Sequence, residues 1–263
     1  MKLDEMIQAA QLAFLALLLA HLVGDFLFQP KWLAENKGKR LWPLLCHGFV
    51  HYASAWACLL IFALTNFLSV YNQAVIAGYF LAHLLIDKLK SLVIAHKPRH
   101  DQWHIFLLDQ LIHIFVLAMT ACFLARTSPV ALFQGLHPSP TARTHILEVA
   151  IVYIGVIFGG GYLIRYLTRS FAIKNTDKNS PQLENAGLYV GWIERFLMIT
   201  AILMQSPVLV GLILTGKSIA RYPAFEHERF AEYFLIGTML SVSLSVLGGM
   251  LLLYLLCGTT SFK

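Results

Sequence analysis

The apolar residues of this chain gather into long runs broken by short polar stretches. Eight runs approach the length of about 20 residues that a helix needs to cross a bilayer. They cover residues 7–29, 41–64, 69–89, 103–125, 145–167, 187–204, 207–222 and 230–257. Inside hydrocarbon every backbone donor and acceptor must be satisfied within the segment, so runs of this length predict helices. The pattern at Gln205-Ser206-Pro207 breaks the sixth run from the seventh, because proline removes a donor and disfavours helix just before it. Whether 187–222 is one kinked helix or two short ones is left open by the pattern. The expected fold is all-α: a polytopic transmembrane bundle of seven or eight helices.

Polar residues inside the first four runs are not scattered. One spacing, a polar ligand type followed by three residues and a second ligand type, occurs once in each run. The pairs are His21/Asp25 in HLVGD, His47/His51 in HGFVH, His83/Asp87 in HLLID and Asp109/His113 in DQLIH. Residues four apart lie on one helix face, a turn above one another. Each of the four helices can therefore aim two side chains at a common point.

Composition and charge fix the setting. Hydrophobic residues make up 58% and charged residues 13% of 263, with a formal net charge of +6. Soluble domains run near 25% charged, so these values exclude an ordinary soluble domain. Met1 to Gln11 carries Asp4 and Glu5 without a small-residue cleavage site, which is unlike a cleaved signal peptide. With eight crossings, the clusters Lys31/Lys37/Lys39/Arg40, Lys88/Lys90/Lys97/Arg99, Arg165/Arg169/Lys174/Lys178 and Lys217/Arg221/Arg229 share one side. The positive-inside rule makes that side cytoplasmic and places both termini outside. All four polar pairs then fall at cytoplasmic helix ends. The positive charge suits anionic lipid headgroups, and no basic-aromatic array points to nucleic acid. Cys46, Cys58, Cys122 and Cys257 have no metal-knuckle spacing and read as small packing residues.

Ionisable groups within a membrane segment are expensive unless they pair, face water or bind ions. Histidine with carboxylate suits zinc, iron or manganese, whereas calcium and magnesium favour oxygen ligands. The expected metal ligands are His21, Asp25, His47, His51, His83, Asp87, Asp109 and His113. Eight exceed the needs of one tetrahedral ion, which leaves two ions, or one ion with supporting carboxylates, both open. Asp25 and Asp109 can serve as ligands or general bases, and Lys90 or Arg195 as anion stabilisers. A hydrogen-bonded interhelical network or a proton relay without metal is the plainer alternative. Gln29 and Lys90 extend their pairs, and Gln110 follows Asp109. His96, His100 and His104 flank Pro98 in an expected interfacial loop, and Trp32, Trp42, Trp56 and Trp103 suit interfacial anchoring.

The chain divides by pattern into a metal-site-like half, residues 1–125, and a second membrane half, 126–263. In the latter, Gly237, Ser241, Ser245 and Gly249 form a small-residue stripe, as do Gly155 and Gly159. Such stripes let helices approach closely, within one chain or across a homodimer. Glu194, Arg195, Lys217, Arg221 and Glu232 predict a salt-bridge network, or an anion cradle facing the metal pairs. No P-loop, zincin or serine-elbow motif is present.

The motifs HLVGDFLFQ, H-x-x-x-H, HLLIDKLKS and FLLDQLIH resemble those of the bacterial integral-membrane family DUF3307, over residues 15 to about 120. GWIERF, GLILTGKSIAR and FAEYFLIGT are similar to stretches of its longer members. The resemblance implies a bacterial inner-membrane protein and no established activity. A looser similarity is to membrane-bound metal-dependent hydrolases. The expected function is a metal-dependent hydrolase acting on a lipid-like or amphipathic substrate. Membrane lipids are the expected surroundings, and a homodimer through the 237–249 stripe is a possible assembly. The competing classes are an iron-dependent oxidative enzyme, a divalent-cation or proton transporter, and a non-enzymatic metal or stress sensor signalling through residues 170–185. The apolar outer halves of runs one and four favour a one-sided pocket over a through-path.

Overall fold

The structure, a computed structural model, describes residues 3–63, 69–96, 103–134, 141–169, 186–222 and 228–258. Apart from short turns the described residues are helical, with no strand among them. Five helices are long and apolar enough to cross a membrane: Asp4–Leu27, Leu41–Phe62, Trp103–Ala125, Ala142–Thr168 and Phe230–Cys257. The other three expected crossings are also helices. The third carries charge in its second half, the sixth contains Glu194 and Arg195, and the seventh has only 15 residues.

The chain forms two compact units, Met1–Ile151 and Val152–Lys263. In the first, α1 (Leu3–Leu22) runs into a π-helical turn, Val23–Leu27. Then follow short α2 (Lys31–Asn36), α3 (Leu41–Phe62), α4 (Val70–His96), α5 (Trp103–Ala125) and short α6 (Pro129–Gln134). Helix α1 packs on α3 and α5, and α4 closes the ring against the same two.

A spacing of three or four residues runs along each inner face. Ala13, Leu17, His21 and Asp25 lie along α1 and its π-helical turn; His47, His51, Ala55 and Leu59 along α3; Ile76, Tyr79, His83 and Asp87 along α4; Asp109, His113, Leu117 and Ala121 along α5. Each stripe is apolar in one half and ligand-bearing in the other, and the sense reverses from helix to helix. Alternating chain direction therefore gathers all the ligands at one end. The apolar ends form a single buried core containing Ala13, Leu17, Ala55, Leu59, Ile76, Leu117 and Ala121. Small residues on α1, Ala13, Ala16 and Ala20, let the neighbouring helices pack closely in this core. Trp56 belongs to that core at 9% exposure, so it is not an interfacial anchor; Trp32, Trp42 and Trp103 are exposed.

Helix α7 (Ala142–Ile154) belongs to the first unit up to Ile151 and continues, in the second unit, through a π-helical turn at Gly155–Gly159 into α8 (Gly160–Thr168). Helices α9 (Ala186–Leu203), α10 (Pro207–Arg221) and α11 (Glu228–Cys257) follow. The break at Gln205, whose φ is 54°, makes 187–222 two helices. Helix α11 packs along α9. Ser241 and Ser245 are buried, and a Cβ on Gly249 would lie 2.7 Å from Ile202. The 237–249 stripe is thus used inside the chain; only Gly237 has open space beside it.

Candidate metal centre

The structure brings all five histidines of the four pairs into one buried layer. His21, His47, His51 and His83 are wholly inaccessible, and His113 is 2% exposed. Ring centroids lie 3.8 Å apart for His51 and His83, 4.5 Å for His83 and His113, and 4.9 Å for His21 and His113. Two groups have donor atoms close enough to share an ion, Asp25/His47/His51/His83 and His83/Asp87/His113, with His83 common to both. Within the first, His47 Nε2 lies 3.3 Å and His51 Nε2 3.2 Å from Asp25 Oδ1, and His83 Nε2 lies 3.4 Å from His47 Nε2. A tetrahedral ion with bonds of about 2.0–2.1 Å holds its ligand atoms about 3.3 Å apart. These three separations match that edge, and all the ligand atoms of the group lie within 4.8 Å of one another.

Hydrogen bonding alone accounts poorly for the layer. A neutral imidazole has one donor and one acceptor. Yet His47 Nε2 faces Lys37 Nζ at 2.9 Å, Asp87 Oδ2 at 3.1 Å, Asp25 Oδ1 at 3.3 Å and a second imidazole nitrogen. One nitrogen cannot be acceptor to an ammonium and donor to two carboxylates together. Meanwhile both His21 nitrogens, His51 Nδ1, His83 Nδ1 and His113 Nε2 are buried with no hydrogen-bond partner. Orphaned buried polar atoms cost on the order of 1–3 kcal/mol each; an ion would give His113 Nε2 a partner, whereas the orphans on His51 and His83 are Nδ1, not the Nε2 atoms that meet Asp25 and His47. His113 Nδ1 donates to the Asp109 carbonyl at 2.8 Å, which leaves the Nε2 lone pair free, the tautomer a metal ligand needs.

Charge is distributed unevenly. Asp87 has Lys37 at 3.0 Å and Asp109 has Lys90 at 2.7 Å. Asp25, its side chain 11% exposed, meets imidazoles and the Gln110 amide at 3.3 Å instead. The carboxylate without an ammonium is the one at the centre of the first group, where a cation is most favoured.

Of the eight expected ligands, His21 and Asp109 fall in neither group. His21 stacks inside the layer, and Asp109 is held by Lys90, so Lys90 is engaged with a carboxylate. Arg195 lies in the second unit. Its Nε and Nη2 donate to the Ile157 carbonyl at 3.0 and 2.7 Å, in the wide turn, and Nη1 reaches Ser241 Oγ at 3.4 Å. Of the remaining charged residues there, Lys217 and Glu194 form an ion pair at 2.5 Å, while Arg221 and Glu232 are exposed. His96 and His104 are exposed, and His100 and residues 170–185 lie outside the described residues.

Lys37 is the participant that spacing does not reveal. It sits after α2, off the four main helices, and its only sequence signal is a basic residue between two ligand pairs. Gln29, with its amide turned to satisfy both neighbours, donates to the Asp25 carbonyl at 3.2 Å and accepts from Lys37 Nζ at 2.8 Å. Gly24 is the other. A Cβ there would lie 2.6–2.9 Å from three ring atoms of His51, so a bare backbone is what lets that imidazole reach Asp25.

Residues 13–137 match the family model described as Protein of unknown function (DUF3307), a stretch that contains all four pairs. No curated protein and no solved structure matches the chain.

Proposed function

We propose that this chain, with its DUF3307 segment at residues 13–137, is a membrane metalloprotein holding one or two zinc, iron or manganese ions between α1, α3, α4 and α5. The observation that carries the reading is the buried imidazole–carboxylate layer with ligand-like spacing. Asp25, His47, His51 and His83 would hold one ion, and His83, Asp87 and His113 a second. The distribution of basic residues supports eight crossings, both termini periplasmic, and the layer at the cytoplasmic face of a bacterial inner membrane.

The activity proposed is hydrolysis of a lipid-like or amphipathic ester. A divalent ion in such a site supplies an activated water and polarises a carbonyl or phosphoryl oxygen. Asp109, linked to Asp25 through the Gln110 amide at 3.4 and 3.3 Å, is assigned the role of general base in this reading. Beyond the histidines the interior is closed by Leu17, Leu59, Ile76 and Leu117. That apolar plug supports a one-sided site over a transport path.

The test is turnover in vesicles of phosphatidylcholine and phosphatidylglycerol, following released fatty acid and released headgroup by mass spectrometry. Protein stripped with chelator should be inactive and should recover on reloading with one of the three metals. The His47→Ala/His51→Ala variant should not recover. A folded, metal-loaded wild type that releases neither product contradicts the hydrolase reading.

A further inference from the structure

The five imidazoles of the layer are no more than 2% exposed, yet an ion must reach them from water. The far end of the bundle is closed by Leu17, Leu59, Ile76 and Leu117. At the near end the charged side chains of Asp25, Lys37 and Lys90 come partly to the surface, at 11%, 17% and 25% exposure. Lys90 and Asp109, which pair there, belong to the long helices α4 and α5, so that side of the mouth is part of the bundle itself. The other side is the connection between α1 and α3. It begins at Gln29, whose turned amide donates to the Asp25 carbonyl at 3.2 Å and accepts from Lys37 Nζ at 2.8 Å. Lys37 reaches His47 Nε2 on α3 at 2.9 Å and Asp87 Oδ2 on α4 at 3.0 Å. Gly38 then meets α4 directly: a Cβ there would lie 2.9 Å from Ser91 Oγ and 3.1 Å from Ser91 Cβ. Residues 29–38 thus form a strap from just past the π-helical turn, over α3, to α4.

We propose that this strap is the gate through which the ion enters, with Lys37 as its latch and the contact of Gly38 on Ser91 as its seat. Three observations carry the inference. Between its ends the strap is lightly held: within Lys31–Asn36 only Leu33 is buried, and Lys31, Trp32, Ala34 and Glu35 are exposed. Elements with few buried apolar contacts are the ones that open locally at least cost. The latch is chemically suited to release, because the ammonium holds His47 Nε2 and Asp87 Oδ2, on two residues of the candidate ligand groups. Ion and latch compete for the same lone pairs, so loading and opening are coupled. The seat suits glycine, since a side chain at position 38 meets Ser91 inside ordinary contact distance and holds the strap off α4. The inference rests on the metal reading and adds to it the route of the ion and the element that controls it.

The test locks the strap. Gly38→Cys and Ser91→Cys are introduced together into the full chain with Cys46, Cys58, Cys122 and Cys257 replaced by alanine. The Cβ separation is close to the range of about 3.5–4.5 Å that a disulfide takes, and Gly38 has no positive φ to strain. Protein in detergent is stripped with chelator and oxidised with diamide. It is then followed as it takes up zinc, and as it gives zinc up to a chromophoric chelator. Both rates should fall by about tenfold or more on oxidation, because exchange through a local opening scales with the open population. Both should recover when a phosphine reductant breaks the disulfide, and oxidised single-cysteine variants should exchange like the reduced protein. Equal rates in the oxidised and reduced protein overturn the gate. So does faster release on oxidation, the mark of a distorted site, and so does a pair that fails to cross-link, since the seat is then absent. Wild type measured alongside separates the two readings: a wild type that takes up no zinc removes the metal reading and the gate with it, whereas a protein that loads equally fast locked or unlocked removes the gate alone.

Discussion

Gly24→Ala isolates the geometry of the metal centre in one methyl group. Among the described glycines only Gly258 has positive φ, so alanine brings no backbone strain at position 24. Its methyl would lie 2.6 Å from Cε1, 2.8 Å from Nε2 and 2.9 Å from Nδ1 of His51. Ordinary contact begins near 3.4 Å, so the ring must retreat by about 0.8 Å. Metal–ligand distances tolerate only about 0.2 Å, so His51 would cease to reach the shared point. Loss of a ligand's support costs about 10–100-fold in metal affinity, the size of effect expected here. Folding should change little: overpacking costs about 1–3 kcal/mol, and alanine over glycine in a helix returns up to about 1 kcal/mol. The assay is competitive titration of stripped protein with zinc against a chromophoric chelator, beside thermal unfolding in the same detergent. Gly78→Ala, the same change in open space, is the control and should bind zinc like the wild type and unfold no lower than it. Wild-type zinc affinity in a folded Gly24→Ala protein would refute His51 as a ligand.

Further outcomes follow from other contacts. Lys37→Met should raise metal affinity, because a tethered ammonium 2.9 Å from His47 Nε2 competes with the ion for that nitrogen. The same change should destabilise the metal-free protein by about 1–3 kcal/mol by stripping Asp87 of its cation; this is below the full cost of breaking a buried pair because Lys37 is partly exposed. Both effects are read by titration and thermal unfolding. Arg195→Lys should lower stability by about 2 kcal/mol, since an ammonium cannot reproduce the forked contact on the Ile157 carbonyl, with metal content unchanged. A large loss of metal without a change in unfolding would contradict its structural role. Gly249→Leu should disrupt the packing of α11 on α9 and lower the unfolding temperature, whereas Gly237→Leu should be tolerated.

What the sequence made legible follows from periodicity. The pairs at i and i+4 share a helix face whatever surrounds them, so one ligand-bearing end on each of four helices can be read before any packing is known. Helix α5 has the expected bounds, 103–125, because its apolar run and its helix coincide. Helix α4 runs to His96 rather than residue 89, since KLKSLVIAH remains helical where it is no longer continuously apolar. Short α2 and α6 have too few residues for a period to register. Lys37 and Gly24 were illegible for a different reason. Their roles come from side chains distant in the chain, Lys37 meeting Asp87 fifty residues on and Gly24 making room for His51. Arg195 was visible as a charge in an apolar run, but its partner, the carbonyl of Ile157 in a π-helical turn, is a backbone group that no side-chain pattern announces.

The most direct test of the account is metal content. Protein purified in detergent without added metal, wild type beside His47→Ala/His51→Ala, is analysed for bound metal per chain by inductively coupled plasma mass spectrometry, with monodispersity checked by size exclusion. The account predicts one or two zinc, iron or manganese ions in the wild type and loss of at least one in a variant that still elutes as a folded species. A folded wild type that carries none of these metals and takes up none when they are supplied would contradict it.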